Sequence, residues 1–586
     1  MPESATGTAR GVESVRPLER GLAVLRALAS APAGERTRAG DLVRTTGLAR
    51  STVDRVVTTL HHLGLVRRQG QELWLTPRLM ELGNAYLAAS GPLDAVAART
   101  ARLADELDES VSLAVPDGDG VRFVAQATRR RAMSVAFHVG DLLPAERCAP
   151  GAVFATDWSP ARWDAWRARR LADPLGAGFP VVSPREIRES DFAARVALAA
   201  ETGHATDDQL IETGLIAVTV PVHTPDGHPL AALSAVSHTS RHSATDLADA
   251  VLGRLRAEAG ELGRLFAGSR EVAEGGGVTG GREDAEVGGV AGGQEVTKVG
   301  GVAGAAVGPV GVDSSLLPPD AKGELGPEFL QSLARGLAVL RALGAARGDG
   351  VPLTALAEAT GLPRATARRC LLTLEQEGYA THTGRLFRPL PRVLELGYAR
   401  LSRLSFAELA EPHLRDLVEE VHESASVTVL DGTDIRYVAR VPTVRVMSVH
   451  IAPGTRFPAY ATAMGRVLLA GLPDERRAAL LAASDPRPLT RHTVTSPEAL
   501  ARTVETTARQ GYATIDEELE EGLRSVAVPL RDARGRVVAA LNVAQHSGTT
   551  PLATTRDRLL PALRRTAAAI EHDVHTASRF SEFGVS

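Results

Sequence analysis

Four side chains near the start of the second half of the chain have the types and the spacing of residues that contact DNA. Arg364, Thr366, Arg368 and Arg369 lie in the segment RATARRCLLTLEQEGY, which is basic at its start and apolar further on. This pattern predicts a helix whose apolar residues hold it on a domain while its first turns face outward. Arginine donates to phosphate oxygens and to the guanine edge in the major groove. The segment therefore predicts a DNA-recognition helix, and the alternative is an ordinary solvated helix face.

The neighbouring residues predict the elements that would position this helix. RGLAVLRAL begins at Arg335 with apolar residues at helical spacing, and a short helix is predicted over Leu353–Thr360. Gly361 can adopt the positive φ that a tight turn between helices needs. Two short extended segments, 380–383 and 386–388, follow the recognition helix. Helix, turn, helix and hairpin are the layout of a winged helix-turn-helix domain.

The whole pattern occurs twice. RGLAVLRAL also begins at Arg20, and a second basic helix is predicted over Arg50–Leu63. The side chains of that helix expected to face DNA are Arg50, Ser51, Thr52 and Arg55, and Arg67 and Arg68 in the wing are expected to reach phosphate. Correspondences continue far beyond these helices, for example Asp117-Gly118 with Asp431-Gly432. The chain is therefore interpreted as a duplication of a complete two-domain protein, and a paired copy weakens the alternative of a merely solvated helix face.

Composition divides the chain into five parts. Each DNA-binding segment is followed by mixed helices and strands without strict βαβ alternation, which favours an α+β domain with a largely antiparallel sheet. A segment rich in Gly, Val and Ala separates the halves, and its lack of periodicity predicts a disordered linker. The predicted parts are winged helices at 13–75 and 328–388, α+β domains at 76–267 and 389–580, and the linker at 268–327.

Charge and cysteine content limit the class of protein. The formal net charge of −4 argues against nucleic-acid binding for the chain as a whole, but residues 35–68 contain seven arginines against three acidic residues. Cys148 and Cys370 lie in different halves, which fits a reducing cytoplasm better than a disulfide framework. No apolar run is long enough for a membrane span.

The sequence contains no P-loop, nucleophile elbow, dinucleotide fingerprint or convincing metal-ligand spacing. We therefore expect no cofactor, no metal, no catalytic residues and no enzymatic activity. The alternative is a ligand-binding sensor or an enzyme that uses the α+β domains.

Five segments together resemble the IclR family of bacterial transcriptional regulators: RGLAVLRAL, GLPRATARRCLLTL, GTRFPAYATAMGRVLLA, EELEEGLRSVAVPL and VVAALNVAQHS. The second half is most similar to the branch that controls the protocatechuate and β-ketoadipate pathway, the PcaR, PobR and PcaU type, and the first half resembles the family more loosely. The resemblance implies a winged helix joined by a linker helix to a GAF-like effector-binding domain. It also implies control of a catabolic operon, with operator DNA and a small organic acid, aromatic or dicarboxylic, as partners.

The resemblance further implies an effector site in the second half. Its residues are Thr462, Ala463, Met464, Gly465, Arg466, Asp516, Glu518, Arg524, Ser525 and Asn542. A carboxylate ligand needs a cation or several N–H and hydroxyl donors in a mostly apolar pocket, and the helix start at Gly465 suits an anion. The alternative is that Arg466 and Arg524 form structural ion pairs with nearby acidic residues.

The first half departs from this pattern. Ala152 stands where the second half has Arg466, and Ile216 stands where it has Arg524. The first effector domain is therefore expected either to bind a less charged ligand or to act as a structural partner that senses nothing.

The linker length bears on self-association. A flexible chain of about 60 residues reaches roughly 40–45 Å, and half-sites one DNA turn apart are separated by roughly 34–36 Å. The two halves are therefore expected to associate in cis on one operator or, alternatively, to form a homo-oligomer of chains.

Overall fold

A computed structural model of the chain describes residues 14–31, 37–129, 137–176, 178–179, 186–224, 226–274, 328–346, 350–443, 451–547 and 551–578. Most of the predicted linker, and the strands predicted around Met133 and Val446, lie outside the described residues.

The first DNA-binding domain has the predicted layout. Its elements are α1 Arg16–Ala29, β1 Thr37–Arg38, α2 Ala39–Thr46, α3 Arg50–His62, β2 Val66–Gln69 and β3 Glu72–Leu75. Gly47, at a φ of +67°, ends α2 and turns the chain toward α3. Buried Val53, Val56 and Leu60 hold α3 in the domain core. Strand β3 pairs with both β1 and β2 to form the wing.

The first effector domain is α+β with one antiparallel sheet. A 3-10 helix at Pro77–Leu79 leads into α4 Met80–Ala89, which corresponds to the predicted linker helix. The other elements are α5 Leu93–Leu107, β4 Ser110–Asp117, β5 Gly120–Ala127, β6 Leu142–Pro144, a 3-10 helix Ala145–Arg147, α6 Ala149–Ala155, α7 Pro160–Ala172, α8 Glu189–Thr202, β7 Ala205–Asp208, β8 Leu215–His223, β9 Pro229–His238 and α9 Ala244–Glu274. The strand order is β6-β5-β4-β9-β8-β7. Helix α9 continues past its predicted end at Phe266, so the first residues of the predicted linker are helical.

The second DNA-binding domain repeats the first. Its elements are α10 Gln331–Ala342, a 3-10 helix Leu343–Ala345, β10 Val351–Pro352, α11 Leu353–Thr360, α12 Arg364–Gln376, β11 Ala380–Thr383 and β12 Leu386–Pro389. Gly361 adopts the predicted positive φ, at +63°, and β12 pairs with both β10 and β11.

The second effector domain has the same topology as the first. Its elements are a 3-10 helix Pro391–Leu396, α13 Tyr398–Leu401, α14 Phe406–Val421, β13 Ser424–Asp431, β14 Asp434–Val441, β15 Arg456–Pro458, a 3-10 helix Ala459–Ala461, α15 Ala463–Ala470, α16 Asp474–Ala483, α17 Pro497–Gln510, β16 Ala513–Asp516, β17 Leu523–Arg531, β18 Val537–His546 and α18 Leu552–Ser578. The strand order is β15-β14-β13-β18-β17-β16. Helices α14 and α18 pack on one face of this sheet and α15 packs on the other.

The two halves pack against each other through their first helices. Gly21 and Gly336 occupy the same position of the repeated RGLAVLRAL segment. A methyl carbon on Gly21 would lie 3.0 Å from Leu333 Cγ, and one on Gly336 would lie 2.9 Å from Leu18 Cγ. Each glycine therefore leaves room for a leucine of the other half, and the repeated segment forms the contact between halves as well as a helix.

Two hydrogen bonds also join the halves in a reciprocal way. The Val15 amide donates to Thr373 Oγ1, and the Leu330 amide donates to Thr59 Oγ1, both at 2.9 Å. Val15 and Leu330 precede the first helices, whereas Thr59 and Thr373 belong to the recognition helices. The start of each first helix is thus attached to the recognition helix of the other half.

The linker helices break the symmetry between the halves. Helix α4 runs through Gly83, but in the second half Gly397 has a φ of +116° and separates a 3-10 helix from α13. A methyl carbon on Gly83 would lie 2.9 Å from Tyr398 Cγ, and one on Gly397 would lie 2.7 Å from Leu79 Cδ2. The two linkers therefore touch at their glycines although only one of them is a continuous helix.

Candidate nucleic-acid interface and effector pocket

The first recognition helix exposes a mixed set of charges. Arg50 is exposed, and its Nε lies 3.2 Å from both carboxylate oxygens of Asp54. Arg55 is partly buried and lies 3.7 Å from Glu328 of the second half. Ser51 is exposed and Thr52 is partly buried. The four predicted DNA-facing residues therefore lie in the first turns of one helix, next to an acidic residue that the prediction did not include.

The second recognition helix exposes only positive charge. Arg364, Arg368 and Arg369 are exposed, and Thr366 is partly buried. Within the part of the chain that the structure describes, none of the three arginines forms an ion pair. Buried Cys370 and its apolar neighbours hold the opposite side of the helix in the core. Burial raises the pKa of the Cys370 thiol to about 11, so this cysteine fills space rather than reacting.

The wing arginines differ from expectation. Arg67 and Arg68 were predicted to reach phosphate, but Arg67 forms an ion pair with Asp416 in α14 of the second effector domain. The Arg68 Nε donates to the Gly70 carbonyl at 3.2 Å. The prediction for Arg67 missed this partner because Asp416 is distant in the sequence.

The two faces of the second effector sheet have different characters. Val427, Val526 and Leu541 belong to the apolar core shared with α14 and α18. On the face toward α15, Ser426 lies opposite Asn542 and Asn542 lies opposite Ala527. Side chains alternate along a strand, so Ser525, next but one to Ala527, shares this polar face. All of these polar side chains are buried.

Arg466 forms an ion pair with a carboxylate of the protein itself. It lies in α15 and is 2% exposed, and its Nη1 donates to Glu518 Oε1 at 2.7 Å. Its Nη2 donates to Glu518 Oε2, and its Nε donates to the Tyr460 carbonyl at 3.1 Å. A bidentate pair of this kind leaves the guanidinium little capacity for a ligand, so the structural ion pair considered from the sequence is the arrangement found.

Arg524 is paired in the same manner. Its Nε and Nη2 donate to the two oxygens of Asp516 at 2.7 and 2.9 Å. The two residues lie opposite each other where β16 pairs with β17. Its Nη1 lies 3.5 Å from Thr555 Oγ1. Arg524 and Asp516 thus join the end of the sheet to α18.

The start of α15 has its own internal cap. Thr462 Oγ1 accepts from the Gly465 amide at 3.0 Å. Gly465 has no room for a side chain, because a methyl carbon would lie 2.5 Å from the Ala459 carbonyl carbon. Ala463 and Met464 are buried in the core beside the sheet. Four of the predicted pocket residues therefore build the helix start, and its capped amide is already occupied.

The structure adds three polar residues that the sequence analysis missed. Ser426 lies between Arg440 and Asn542, its register partners on the two neighbouring strands. Thr428 follows on the same strand, and Thr428 Oγ1 and Asn542 Oδ1 are buried without a hydrogen-bond partner among the described residues. Burial lowers the pKa of the half-buried Arg440. Comparison of the two halves could have indicated Arg440 from the sequence, because Gln126 stands at the corresponding position of the first half.

The corresponding face of the first effector domain is closed differently. Thr219 and Ser234 share a hydrogen bond of 2.8 Å, and Ser112 lies opposite both Ser234 and Gln126. Cys148 stands where the second half has Thr462, and burial strongly raises the pKa of its thiol. The face keeps its hydroxyl groups, and at the position of Arg440 it has the neutral amide of Gln126.

Within the described ranges, no helix is long and apolar enough to cross a membrane, and no cluster of three or more His, Cys, Asp or Glu side chains could hold a metal ion.

The paired winged helices with their α+β domains define a DNA-binding regulator, and comparison with known proteins identifies the family. A model of the IclR helix-turn-helix domain matches residues 17–70 and 332–384. A model described as the bacterial transcriptional regulator IclR C-terminal domain matches residues 86–264 and 398–572. The chain belongs to the IclR family, contains two copies of both domains, and is a transcriptional regulator rather than an enzyme.

Individual relatives match one half at a time. The chain is 42% identical over 249 residues to the Pca regulon regulatory protein of Pseudomonas putida, covering 42% of this chain and 85% of that protein. It is 32% identical over 245 residues to the p-hydroxybenzoate hydroxylase transcriptional activator of Acinetobacter baylyi, covering 41% of this chain and 90% of that protein. A solved structure of a putative transcriptional regulator from Rhodococcus sp. RHA1 is 49% identical, covers 43% of this chain and all of its own, and has a TM-score of 0.41.

Proposed function

We propose that one chain binds an operator with both winged helices in cis and controls a catabolic operon in response to a small aromatic acid in the second effector domain. The observation that carries the proposal is the reciprocal packing of the halves. The Gly21–Leu333 and Gly336–Leu18 contacts bring the first helices together. Two equivalent hydrogen bonds attach each first helix to the other recognition helix.

This packing supports an asymmetric operator. In a dimer of identical chains, a two-fold axis makes both recognition helices the same, and the operator is then a palindrome. Here the paired helices have different exposed residues, ARSTVDRVV in one and PRATARRCL in the other. One chain should therefore prefer an imperfect palindrome.

The polar face of the second sheet supports an anionic effector. The strand register places half-buried Arg440 beside Ser426 and Asn542, and Thr428 follows on the same strand. A cation, hydroxyl groups and an amide oxygen without a hydrogen-bond partner among the described residues therefore share one face of the sheet. A carboxylate would pair with the guanidinium, and a hydroxyl group would donate to the amide oxygen. One relative is an activator of p-hydroxybenzoate hydroxylase, an enzyme named for an aromatic acid, and this favours an aromatic effector over a dicarboxylic one.

Contacts across the halves provide a route from effector to DNA. The second effector domain contacts the linker helix of the first half, where Asn84 Nδ2 in α4 donates to the Thr576 carbonyl in α18 at 3.0 Å. Arg403, just after α13, donates to buried Asp141 of the first effector domain at 2.6 Å. Each effector domain is thus coupled to the linker of the other half, so a ligand that shifts one sheet would bias both recognition helices.

The DNA part is tested by selecting bound sequences from a random pool and measuring the mass of the complex in the same sample. We expect an asymmetric site bound by one chain. A perfect palindrome bound by two chains would contradict binding in cis.

The effector part is tested by calorimetric titration of the full chain with p-hydroxybenzoate. Arg440→Gln, which installs the first-half residue, should weaken binding about thirtyfold, because a charge-assisted hydrogen bond contributes about 2 kcal/mol. Arg436→Gln on the same strand is the control, since Arg436 pairs with Asp431 at the strand end. Equal affinity in the wild type and Arg440→Gln would remove Arg440 from the site.

A further inference from the structure

In their first two turns the two recognition helices differ in charge at only one position, although Ser51 and Ala365 also differ. They begin at Arg50 and Arg364, directly after equivalent turns. The pairs Arg50 and Arg364, Thr52 and Thr366, and Arg55 and Arg369 have the same residue in both helices. Four positions after the helix start, however, the first helix has Asp54 and the second has Arg368. The charge at this position is therefore reversed between the halves.

Both side chains lie on the face that would meet DNA. The Asp54 side chain is 51% exposed, and Arg368 is exposed. The preceding residues, Val53 and Ala367, are buried in their domains, so the reversed position lies on the outer surface of each helix. A structural role in either core does not account for the difference.

The ion pair between Asp54 and Arg50 can be broken at a low cost in free energy. Its carboxylate pairs with Arg50 one turn earlier on the same exposed surface, at 3.2 Å. Exposed pairs of this kind contribute little to stability. DNA can therefore separate the pair, leaving Arg50 for a phosphate and Asp54 for a base.

The chemistry of the two side chains selects different bases. An ionised carboxylate only accepts hydrogen bonds, is repelled by phosphates, and in the major groove accepts from the N4 amino group of cytosine. A guanidinium donates to O6 and N7 of guanine. On the basis of the proposed binding in cis, we infer that Asp54 and Arg368 are the residues that distinguish the half-sites. Asp54 selects cytosine at the base position where Arg368 selects guanine.

The alternative for Asp54 is that it only orients Arg50. The two roles have different consequences. An orienting role changes the affinity for all sequences together, whereas base readout changes the preference at one position.

The test uses the full chain and four duplexes: the selected asymmetric operator, a palindrome of each half-site, and an unrelated sequence. Asp54→Arg gives both helices arginine at this position, so its preference should move by about tenfold or more from the asymmetric operator to the palindrome of the second half-site. The reciprocal change, Arg368→Asp, should move the preference toward the palindrome of the first half-site.

Asp164→Arg is the matched control. Asp164 is 75% exposed on α7 of the first effector domain, where its partner is Arg167. The charge change is the same, but it is remote from the recognition helices in the sequence and in the fold. It should leave the ranking of the four duplexes unchanged.

The outcomes separate the inference from the proposed function. A wild-type chain that selects no sequence at all would overturn binding in cis itself. A wild-type chain that selects an asymmetric site, combined with an Asp54→Arg variant that binds all four duplexes more tightly by one common factor, would overturn only the assignment of Asp54 and Arg368.

Discussion

A single methyl group at Gly21 tests whether the two first helices pack together in solution. In an open helix interior, Gly→Ala stabilises by about 1 kcal/mol. At Gly21 the new methyl group would lie 3.0 Å from Leu333 Cγ and closer to that side chain's methyl carbons, whereas carbon atoms prefer about 3.5–4.0 Å. Leu333 is fully buried, so its movement must displace neighbours, and overpacking costs about 1–3 kcal/mol. Because the helix gain offsets part of this cost, the net expectation is a loss of up to about 2 kcal/mol at this contact.

Hydrogen exchange measures this loss locally, which matters because a chain of four domains does not unfold in two states. Amides of α1 and α10 should exchange faster in Gly21→Ala, by up to about 30-fold. Gly253→Ala in α9 is the control, because nothing lies within 4 Å of its added methyl carbon, and it should slow exchange slightly. Combining Gly21→Ala with Leu333→Ala should cost less than the sum of the single changes, because the truncated leucine makes room.

Opposite behaviour would refute the packing. If Gly21→Ala slowed exchange in α1 as Gly253→Ala does in α9, the helix would be open at Gly21 in solution. Reciprocal contact between halves, and with it binding in cis, would then lose its basis.

Three further predictions concern buried groups. Glu518→Ala leaves the Arg466 guanidinium buried without its carboxylate and should cost the second effector domain about 3–5 kcal/mol in denaturant unfolding, whereas Glu518→Gln, which keeps one acceptor, should cost less; equal losses would contradict this, because they would show that the neutral acceptor contributes nothing. Burial raises the pKa of Asp207 to about 7, so the stability from this group is complete below its unfolded pKa and is lost as pH rises through about 7. Asp207→Asn should therefore reduce the fall in melting temperature between about pH 5 and pH 8, and an unchanged profile would contradict this. Burial raises the pKa of both Cys148 and Cys370, so neither thiol should be alkylated at about pH 8 before unfolding, which mass spectrometry would detect.

Local patterns were sufficient for the DNA-binding domains. The recognition helices at Arg50–His62 and Arg364–Gln376 begin where predicted, because a glycine turn and a change to helical periodicity are both visible in a few residues. The α+β character of the larger domains is confirmed for the same reason, since their strands alternate and their turns contain glycine.

The effector pocket depends on register, which a single sequence does not contain. Arg466 and Glu518 meet only because α15 packs over the end of the sheet, and Arg524 meets Asp516 through the pairing of β16 with β17. Composition alone could not distinguish ligand-binding arginines from paired ones. The sequence analysis missed Arg440 because its position beside Ser426 also depends on register, which shifts within the β13–β14 pair.

Because two copies are joined in one chain, a residue can differ between the two recognition helices or between the two effector domains. In a homodimer, every substitution appears twice by symmetry, so a recognition helix with Asp54 would face another with the same aspartate. In this chain the two copies vary separately: Asp54 and Arg368 differ on the recognition helices, and Gln126 and Arg440 differ on the effector sheets. The contact between halves has not diverged in the same way, since Gly21 and Gly336 remain glycine in a segment of identical sequence. Such a chain can keep one interface while it assigns different bases and different ligands to its two halves.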